Sequence, residues 1–463
     1  MERGSTDSPT DARTLHTVLA FAALATCAFA ARERGLSSLR ARVSAPPLAV
    51  ALARPSSPVG ATTPAIEAPD EAIDAILTAP PAPSRPLPVR DAIENAAALD
   101  GFYARLAAVE AHTPRTLLRV AVYGDSVVAD DKVPARIRAR LQARFGDGGP
   151  GFVLASPPSR WYHHRDVALA ARGFTGRTVV QDDRPDGLLG YAGMAFDARD
   201  AGASTTLTLG PRAVSPATLR VSWWFLQQPG GGSFEARAGG GAPERVRTDA
   251  TVATPAEHTR SAPSGVRELT LQTTPGSGPV RLYGAVLERE GPGVVVDNLG
   301  LVGSSAAALR RGDERLWRAH LARRGVDLAV FLLGANEAFR GTIDPERSQR
   351  TFEAMLAAVR ATPSVHCLVM APLDEATVDG DVVATRPTIP LLVEAQRRAA
   401  LAQRCAFWNT FAWMGGRGSA SRWHRAAWME PDLVHPTAAG AVRVADAMVD
   451  ALLAARPTRG ATP

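Results

Sequence analysis

Acyl transfer needs a nucleophile, a base to take its proton, a group that orients the base, and donors for the oxyanion. Ser126, Gly303, Asn336, Asp432 and His435 have the types for those roles. Ser126 supplies a hydroxyl and His435 an imidazole. Asp432 lies three residues before His435, close enough within one turn for its carboxylate to reach Nδ1 and fix the tautomer. The oxyanion donors would be the backbone N–H groups of Ser126 and Gly303 and the amide of Asn336. Each residue also has a bland reading. Ser126, Asp432 and His435 could cap helices, Gly303 could be a plain turn, and Asn336 a turn residue that tolerates a left-handed backbone.

The elements around these residues favour the chemical reading. Leu117 to Tyr123 is a short run of Leu, Val and Ala interrupted by Arg119, which predicts a buried parallel strand. Gly124-Asp125-Ser126 then turns sharply, and a helix is expected from about Pro134 to Phe145. Further strands are expected at Val294 to Leu299, Leu328 to Leu333, Val365 to Met370 and Ala406 to Asn409. Helices are expected between them, at Asp313 to Arg324, Pro345 to Ala361 (capped by Asp344) and Ile389 to Gln403, with a last one at Thr437 to Ala455. Strands alternating with helices call for a parallel sheet with right-handed crossovers. The chemistry-bearing residues then fall at strand ends on one rim, where open α/β sheets bind ligands.

Between Ser156 and Gly293 helical periodicity gives way to short alternating runs, at Ser204 to Leu209, Thr218 to Leu226, Val266 to Thr273 and Val280 to Glu288. These predict a β-sandwich or jelly roll inserted into the α/β domain. Alternation sends Trp223 and Trp224 to opposite faces, so one is expected in the core and the other exposed. His163 and His164 have no third ligand at metal spacing and read as surface or hydrogen-bonded residues. No metal or cofactor is expected.

The 463-residue chain is 46% apolar, with a formal charge of +6 carried by arginines, since Lys132 is the only lysine. Arginine spread through every segment is a compositional bias, not a nucleic-acid stripe. Thr17 to Ala31 is an apolar run with a small-x-small site at Ala28-Phe29-Ala30, which reads as an export signal. The acidic residues before it and Arg32, Arg34, Arg40 and Arg42 after it keep an uncleaved anchor open. The expected organisation is a signal or anchor at 1–30, a Pro/Ala-rich linker at 31–90, an α/β domain at 91–155 and 294–455, the inserted module at 156–293, and a tail at 456–463. A helix is expected at roughly Asp91 to Ala111. With Cys27 inside the signal, Cys367 and Cys405 remain, near the starts of neighbouring strands, and are expected as buried thiols close to one another.

Gly124-Asp125-Ser126, Asn298-Leu299-Gly300-Leu301-Val302-Gly303, Gly334-Ala335-Asn336 and Asp432-Leu433-Val434-His435 together resemble the sequence blocks of SGNH (GDSL-type) hydrolases. The resemblance covers roughly Leu117 to Leu154 and Val294 to Leu453. It implies a flavodoxin-like three-layer α/β/α fold with a five-stranded parallel sheet, and ester cleavage without a metal. Ser126 would be the nucleophile, Asp432 and His435 would complete the triad, and Gly303 and Asn336 would serve the oxyanion. Asp125 would position rather than react. Glu337 departs from the family, many members of which have Asp there. The chain is further similar to exported bacterial members that remove O-acetyl groups from peptidoglycan, through its inserted module and the Met414-Gly415-Gly416 loop with Trp423. That similarity implies an acylated polysaccharide or peptidoglycan-like substrate. An O-acetyltransferase and a non-catalytic glycan-binding protein on a decayed scaffold are the alternatives.

Overall fold

Alternation along the strand Leu117–Gly124 (β1) builds the centre of the molecule. Leu118, Val120 and Val122 join one core cluster and Ala121 and Tyr123 another, and none is more than 1% exposed. A strand buried on both faces belongs in a parallel sheet covered on both sides. The remaining strands are Gly293–Gly300 (β2), Leu328–Leu332 (β3), His366–Met370 (β4) and Ala406–Trp408 (β5). They pair in the order β2-β1-β3-β4-β5, parallel throughout. The strand order reverses direction between β1 and β3, so the loops after those strands diverge and leave a crevice at their carboxyl ends. The structure is a computed structural model and describes residues 71–79, 92–180, 186–198 and 202–457.

The longer flanking helices are Asp100–Glu110 (α1), Lys132–Phe145 (α2), Glu314–Arg324 (α3), Pro345–Arg360 (α4), Thr388–Ala402 (α5) and Ala438–Ala454 (α6). Phe102, Ile137 and Met448 place α1, α2 and α6 against the face that holds Val120. Leu321, Leu356 and Leu392 place α3, α4 and α5 against the face that holds Tyr123. The result is the expected three-layer α/β/α arrangement. Asp344 caps α4 by accepting from the N–H groups of Glu346 and Arg347 at 3.0 and 3.1 Å.

The inserted module is two antiparallel sheets. One runs Thr254–Ala262, Leu219–Gln227, Val280–Arg289, Met194–Ala198, Thr175–Thr178, with Gly151–Leu154 also paired to Val280–Arg289. The other runs Val167–Arg172, Ser204–Leu209, Glu268–Thr273, Ser233–Ala238, Glu244–Arg247. The module sheet therefore takes in Gly151–Leu154, upstream of the expected start at Ser156.

Several expectations need correction. Trp223 and Trp224 do point apart, but both are buried, at 1% and 2% exposure. The first module sheet has the second sheet on one side and the α/β domain on the other. On that second side Trp224 stacks on His320 of α3, with ring centroids 5.2 Å apart. The segment read as a linker contains a helix, Glu71–Thr78, in which Leu77 is buried and its carbonyl accepts from Arg136 Nη1 at 3.0 Å. The helix expected from Asp91 forms over Ala96–Leu99 as a 3-10 turn and then as α1. The expected signal or anchor at Thr17 to Ala31, Cys27 with it, and the rest of the linker lie outside the described residues.

Cys367 and Cys405 form a disulfide, with Cα atoms 4.9 Å apart, rather than standing as free thiols. The register explains it. Leu368 of β4 is opposite Ala406 of β5, so the residues one position earlier on each strand also face each other. The bridge spans a sequence separation of 38, and a loop of that size constrains the unfolded chain by up to about 4 kcal/mol. Replacing both cysteines with alanine is expected to lower the urea midpoint, with the m-value rising as the unbridged unfolded chain exposes more surface.

Candidate active site

At the end of β1 the backbone turns at Gly124, where a Cβ would fall 2.2 Å from Val128 Cγ2 and 2.8 Å from the Leu332 carbonyl oxygen. Only glycine fits so close an approach. Asp125 follows as the cap of a single helical turn, Ser126–Ala129, accepting from the Val127 N–H at 3.0 Å. The turn lifts Ser126 onto the rim. Its Oγ lies 2.8 Å from His435 Nε2, and His435 Nδ1 lies 2.6 Å from Asp432 Oδ2. Residues 309 positions apart in sequence thus share one continuous line of hydrogen bonds.

The Asp432–His435 turn is built by its own backbone. Asp432 Oδ1 accepts from the N–H groups of Val434 and His435 at 2.9 and 3.0 Å, leaving Oδ2 for the imidazole. Leu433 has φ +58, a conformation that costs a non-glycine residue about 1–3 kcal/mol. Buried Leu433 is held there because its N–H donates to the Glu430 carbonyl at 3.0 Å and its carbonyl accepts from Ala376 at 3.2 Å. Nothing in the sequence marks this position, since leucine is not a residue that favours φ above zero.

Gly303 has φ +82 and, with no side chain, lets Val180 of the inserted module approach, 3.0 Å from where a Cβ would stand. Asn336 sits in the turn Ala335–Ala338 after β3, and its Nδ2 donates to the Ser304 carbonyl at 2.9 Å. Glu337 accepts from the Ala306 N–H at 3.2 Å through Oε1. These two bonds tie the loop after β3 to the loop after β2, so Gly303 and Asn336 are held in one frame. An aspartate side chain at 337 would be one methylene shorter in that reach to Ala306. The sequence singled out Glu337 only as a departure and missed this tie.

The site is electrostatically asymmetric. Burial disfavours a charged His435, but the hydrogen bond and charge of Asp432, with Asp125 and Asp130 adding, outweigh it and hold the imidazole pKa above the ordinary histidine value. Burial likewise works against an ionised Asp432, but the imidazole and the two N–H donors prevail and its pKa lies below the usual value. Behind the serine turn, burial pushes the Asp125 carboxyl up to about 6, despite the Val127 N–H and His435. Burial also pushes Glu337 up to about 7, with Asp125 adding to the rise. Neither His163 nor His164 joins the Ser126–His435–Asp432 line of side-chain hydrogen bonds. His164 is buried with Nε2 3.2 Å from the Pro150 carbonyl, and the His163 N–H donates to the Ala129 carbonyl at 3.1 Å.

Residues 264–443 match the GDSL-like lipase/acylhydrolase family. Residues 264–443 thus carry a GDSL-like lipase/acylhydrolase domain. The matched range begins inside the module, because the insertion separates the Ser126 block from the rest of the acylhydrolase domain. Among solved structures, a peptidoglycan O-acetylesterase superposes with a TM-score of 0.67 at 22% identity, covering 77% of this chain and 96% of that one. The shared fold thus includes nearly all of the other protein. A family two carbohydrate esterase from Cellvibrio japonicus matches at 11% identity and a TM-score of 0.25, over 66% of this chain and 98% of that one. A carbohydrate-binding module from a Cellvibrio mixtus lichenase matches at 19% identity and a TM-score of 0.18, over 26% and 88%. No curated protein sequence matches the chain. The GDSL-like acylhydrolase is an ester hydrolase whose parallel sheet carries an inserted β-sandwich.

Proposed function

We propose that this GDSL-like acylhydrolase removes O-acyl groups, O-acetyl first among them, from a peptidoglycan-like polysaccharide, with Ser126, His435 and Asp432 as its triad. The unbroken line from Ser126 Oγ through His435 to Asp432 carries the proposal. The fold shared with a peptidoglycan O-acetylesterase supports the substrate class. In this reading His435 Nε2 takes the Ser126 proton as Oγ bonds to the ester carbonyl carbon. The oxyanion forms toward the Ser126 and Gly303 N–H groups and Asn336 Nδ2. His435 then gives the proton to the leaving sugar oxygen, and the acyl group remains on Ser126. Water, deprotonated by the same imidazole, releases the carboxylate and restores the hydroxyl.

Asp432 keeps the proton on Nδ1 and stabilises the imidazolium that forms. The base must be neutral to accept the serine proton, so kcat/KM is expected to rise with pH through a pKa above about 6.5. Asp432→Asn removes the charge that raises this pKa and allows the wrong tautomer. It is expected to lower kcat by about 10⁴-fold and to move the pH limb to lower values. Hydrolysis of p-nitrophenyl acetate between pH 5 and 9 measures both, and an unmoved limb would dissociate Asp432 from His435.

Export to the cell envelope or beyond is part of the proposal. It is supported by the apolar stretch Thr17 to Ala31 and by the Cys367–Cys405 bond, since structural disulfides persist in oxidising compartments. Acetate release from O-acetylated peptidoglycan, set beside release from acetylated xylan, tests the substrate class. Release from neither polymer rejects it.

A further inference from the structure

We infer that Trp161 and Phe339 are aromatic platforms on either side of Ser126 that hold an extended glycan chain flat across the active site, an inference that rests on the polysaccharide reading above. Trp161 is 51% exposed and Phe339 42%. Each ring carries an arginine on one face, Arg160 at 4.5 Å from the Trp161 centroid and Arg386 at 4.2 Å from that of Phe339. The arginine occupies one face of each ring, and the rest of the ring's exposed surface is available to a ligand.

Both platforms are fixed to the elements that build the site. The loop with Trp161 is pinned two residues later, where the His163 N–H donates to the Ala129 carbonyl at 3.1 Å and the His163 carbonyl accepts from Asn298 Nδ2 at 3.1 Å. Ala129 ends the turn that begins with Ser126, and Asn298 lies on β2. The next residue, Tyr162, is buried, with its hydroxyl accepting from the Leu154 N–H at 3.3 Å. Phe339 closes the turn that carries Asn336, and its partner Arg386 is held by buried Glu375 at 3.2 Å. Across the sheet rim the order is β2, β1, β3. The Trp161 loop hangs on the β2–β1 side, Ser126 follows β1, and Phe339 follows β3. The turn that carries Ser126 therefore lies between the elements that carry the two rings.

A pyranose ring presents a face of C–H groups while its hydroxyls point outward. That shape suits a flat aromatic surface with a polar surround, and aromatic contacts of this kind tend to orient a ligand as well as bind it. Two such surfaces, on elements that flank the turn of the nucleophile, fit a chain of several sugars whose acyl group dips toward Ser126. A small ester such as p-nitrophenyl acetate would fill only the centre.

The test is the ratio of kcat/KM on an O-acetylated oligosaccharide to that on p-nitrophenyl acetate. Two substrates serve, O-acetylated peptidoglycan tetrasaccharide and O-acetylated xylotetraose, and they separate an amino-sugar chain from a plain xylan. Trp161→Ala and Phe339→Ala are each expected to lower the ratio on the preferred chain by about tenfold, mostly through KM, with Trp161→Phe and Phe339→Tyr recovering most of it. Val252→Ala, on an exposed module position, is the control. Calorimetric binding of the same tetrasaccharides to Ser126→Ala protein, with and without Trp161→Ala, reads the platforms without turnover. An unchanged ratio for both alanine variants on both chains overturns the inference, as does failure of the Ser126→Ala protein to bind either one. Retained activity in Ser126→Ala would instead overturn the triad.

Discussion

Ser126→Ala is expected to lower kcat on p-nitrophenyl acetate by about a millionfold, the scale at which removal of a triad serine abolishes nucleophilic catalysis. The proposed oxyanion donors are untouched by the substitution, so a residual rate above water is expected. The substitution should be structurally mild. Ser126 is only partly buried, and its hydroxyl bonds to His435, which keeps its bond to Asp432. The thermal midpoint is therefore expected to stay close to that of the parent protein. Burst kinetics provide a second readout. The parent enzyme releases one equivalent of p-nitrophenol ahead of the steady state if deacylation is slower, and the variant cannot. Near-normal turnover in Ser126→Ala would require another nucleophile.

Arg324→Ala is expected to cost about 3–5 kcal/mol of stability, the scale of breaking a buried ion pair, because it leaves buried Asp297 without its cation. Arg324, on α3, pairs with Asp297 on β2 through Nε at 2.7 Å and Nη2 at 3.0 Å. Its Nη1 pairs with Glu288 on the module strand Val280–Arg289, which Arg119 of β1 also grips at 2.7 and 3.1 Å and Arg220 contacts. Asp297 also accepts from the Tyr191 hydroxyl at 3.0 Å and the Phe152 N–H at 2.8 Å. Arg324, Glu288 and Asp297 are all buried. This network locks the inserted module to the sheet. Excising residues 156–293 would strip Arg324 and Arg119 of Glu288 and uncover the face that Trp224 covers, so the excised chain is expected to be insoluble rather than a working small-ester enzyme.

The same network carries a pH signature. Burial works against the ionised Glu288, but Arg324 and Arg119 overcome it and hold its pKa well below the ordinary glutamate value. A depressed carboxylate contributes its full stability above the unfolded pKa of about 4.3 and loses it as pH falls toward the folded value. Urea midpoints are thus expected to fall below about pH 4.3, and to fall less steeply in Glu288→Gln, which starts from a lower stability.

The sequence by itself determined the sheet and which residues stand as candidates at its rim. Buried parallel strands are written as continuous apolar runs, and β1, β3 and β4 were legible to within a residue or so because nothing but burial shapes them. Ser126, Gly303, Asn336, Asp432 and His435 could be picked out as candidates because each lies at a strand end or in a turn, on the rim where open α/β sheets bind ligands. The tertiary structure decided what depends on partners distant in the chain. Adjacency of β4 and β5 was expected, but whether Cys367 and Cys405 bond depends on a register that neither strand encodes alone. Alternation gave Trp223 and Trp224 opposite faces, yet only the packing of α3 over the module sheet decided that both faces are dry. Leu433 takes φ +58 because contacts from Glu430 and Ala376 over-determine it. The Arg324 network joins residues 119, 220, 288, 297 and 324, and no spacing announces it, because a buried charge chooses its partners by proximity in the fold.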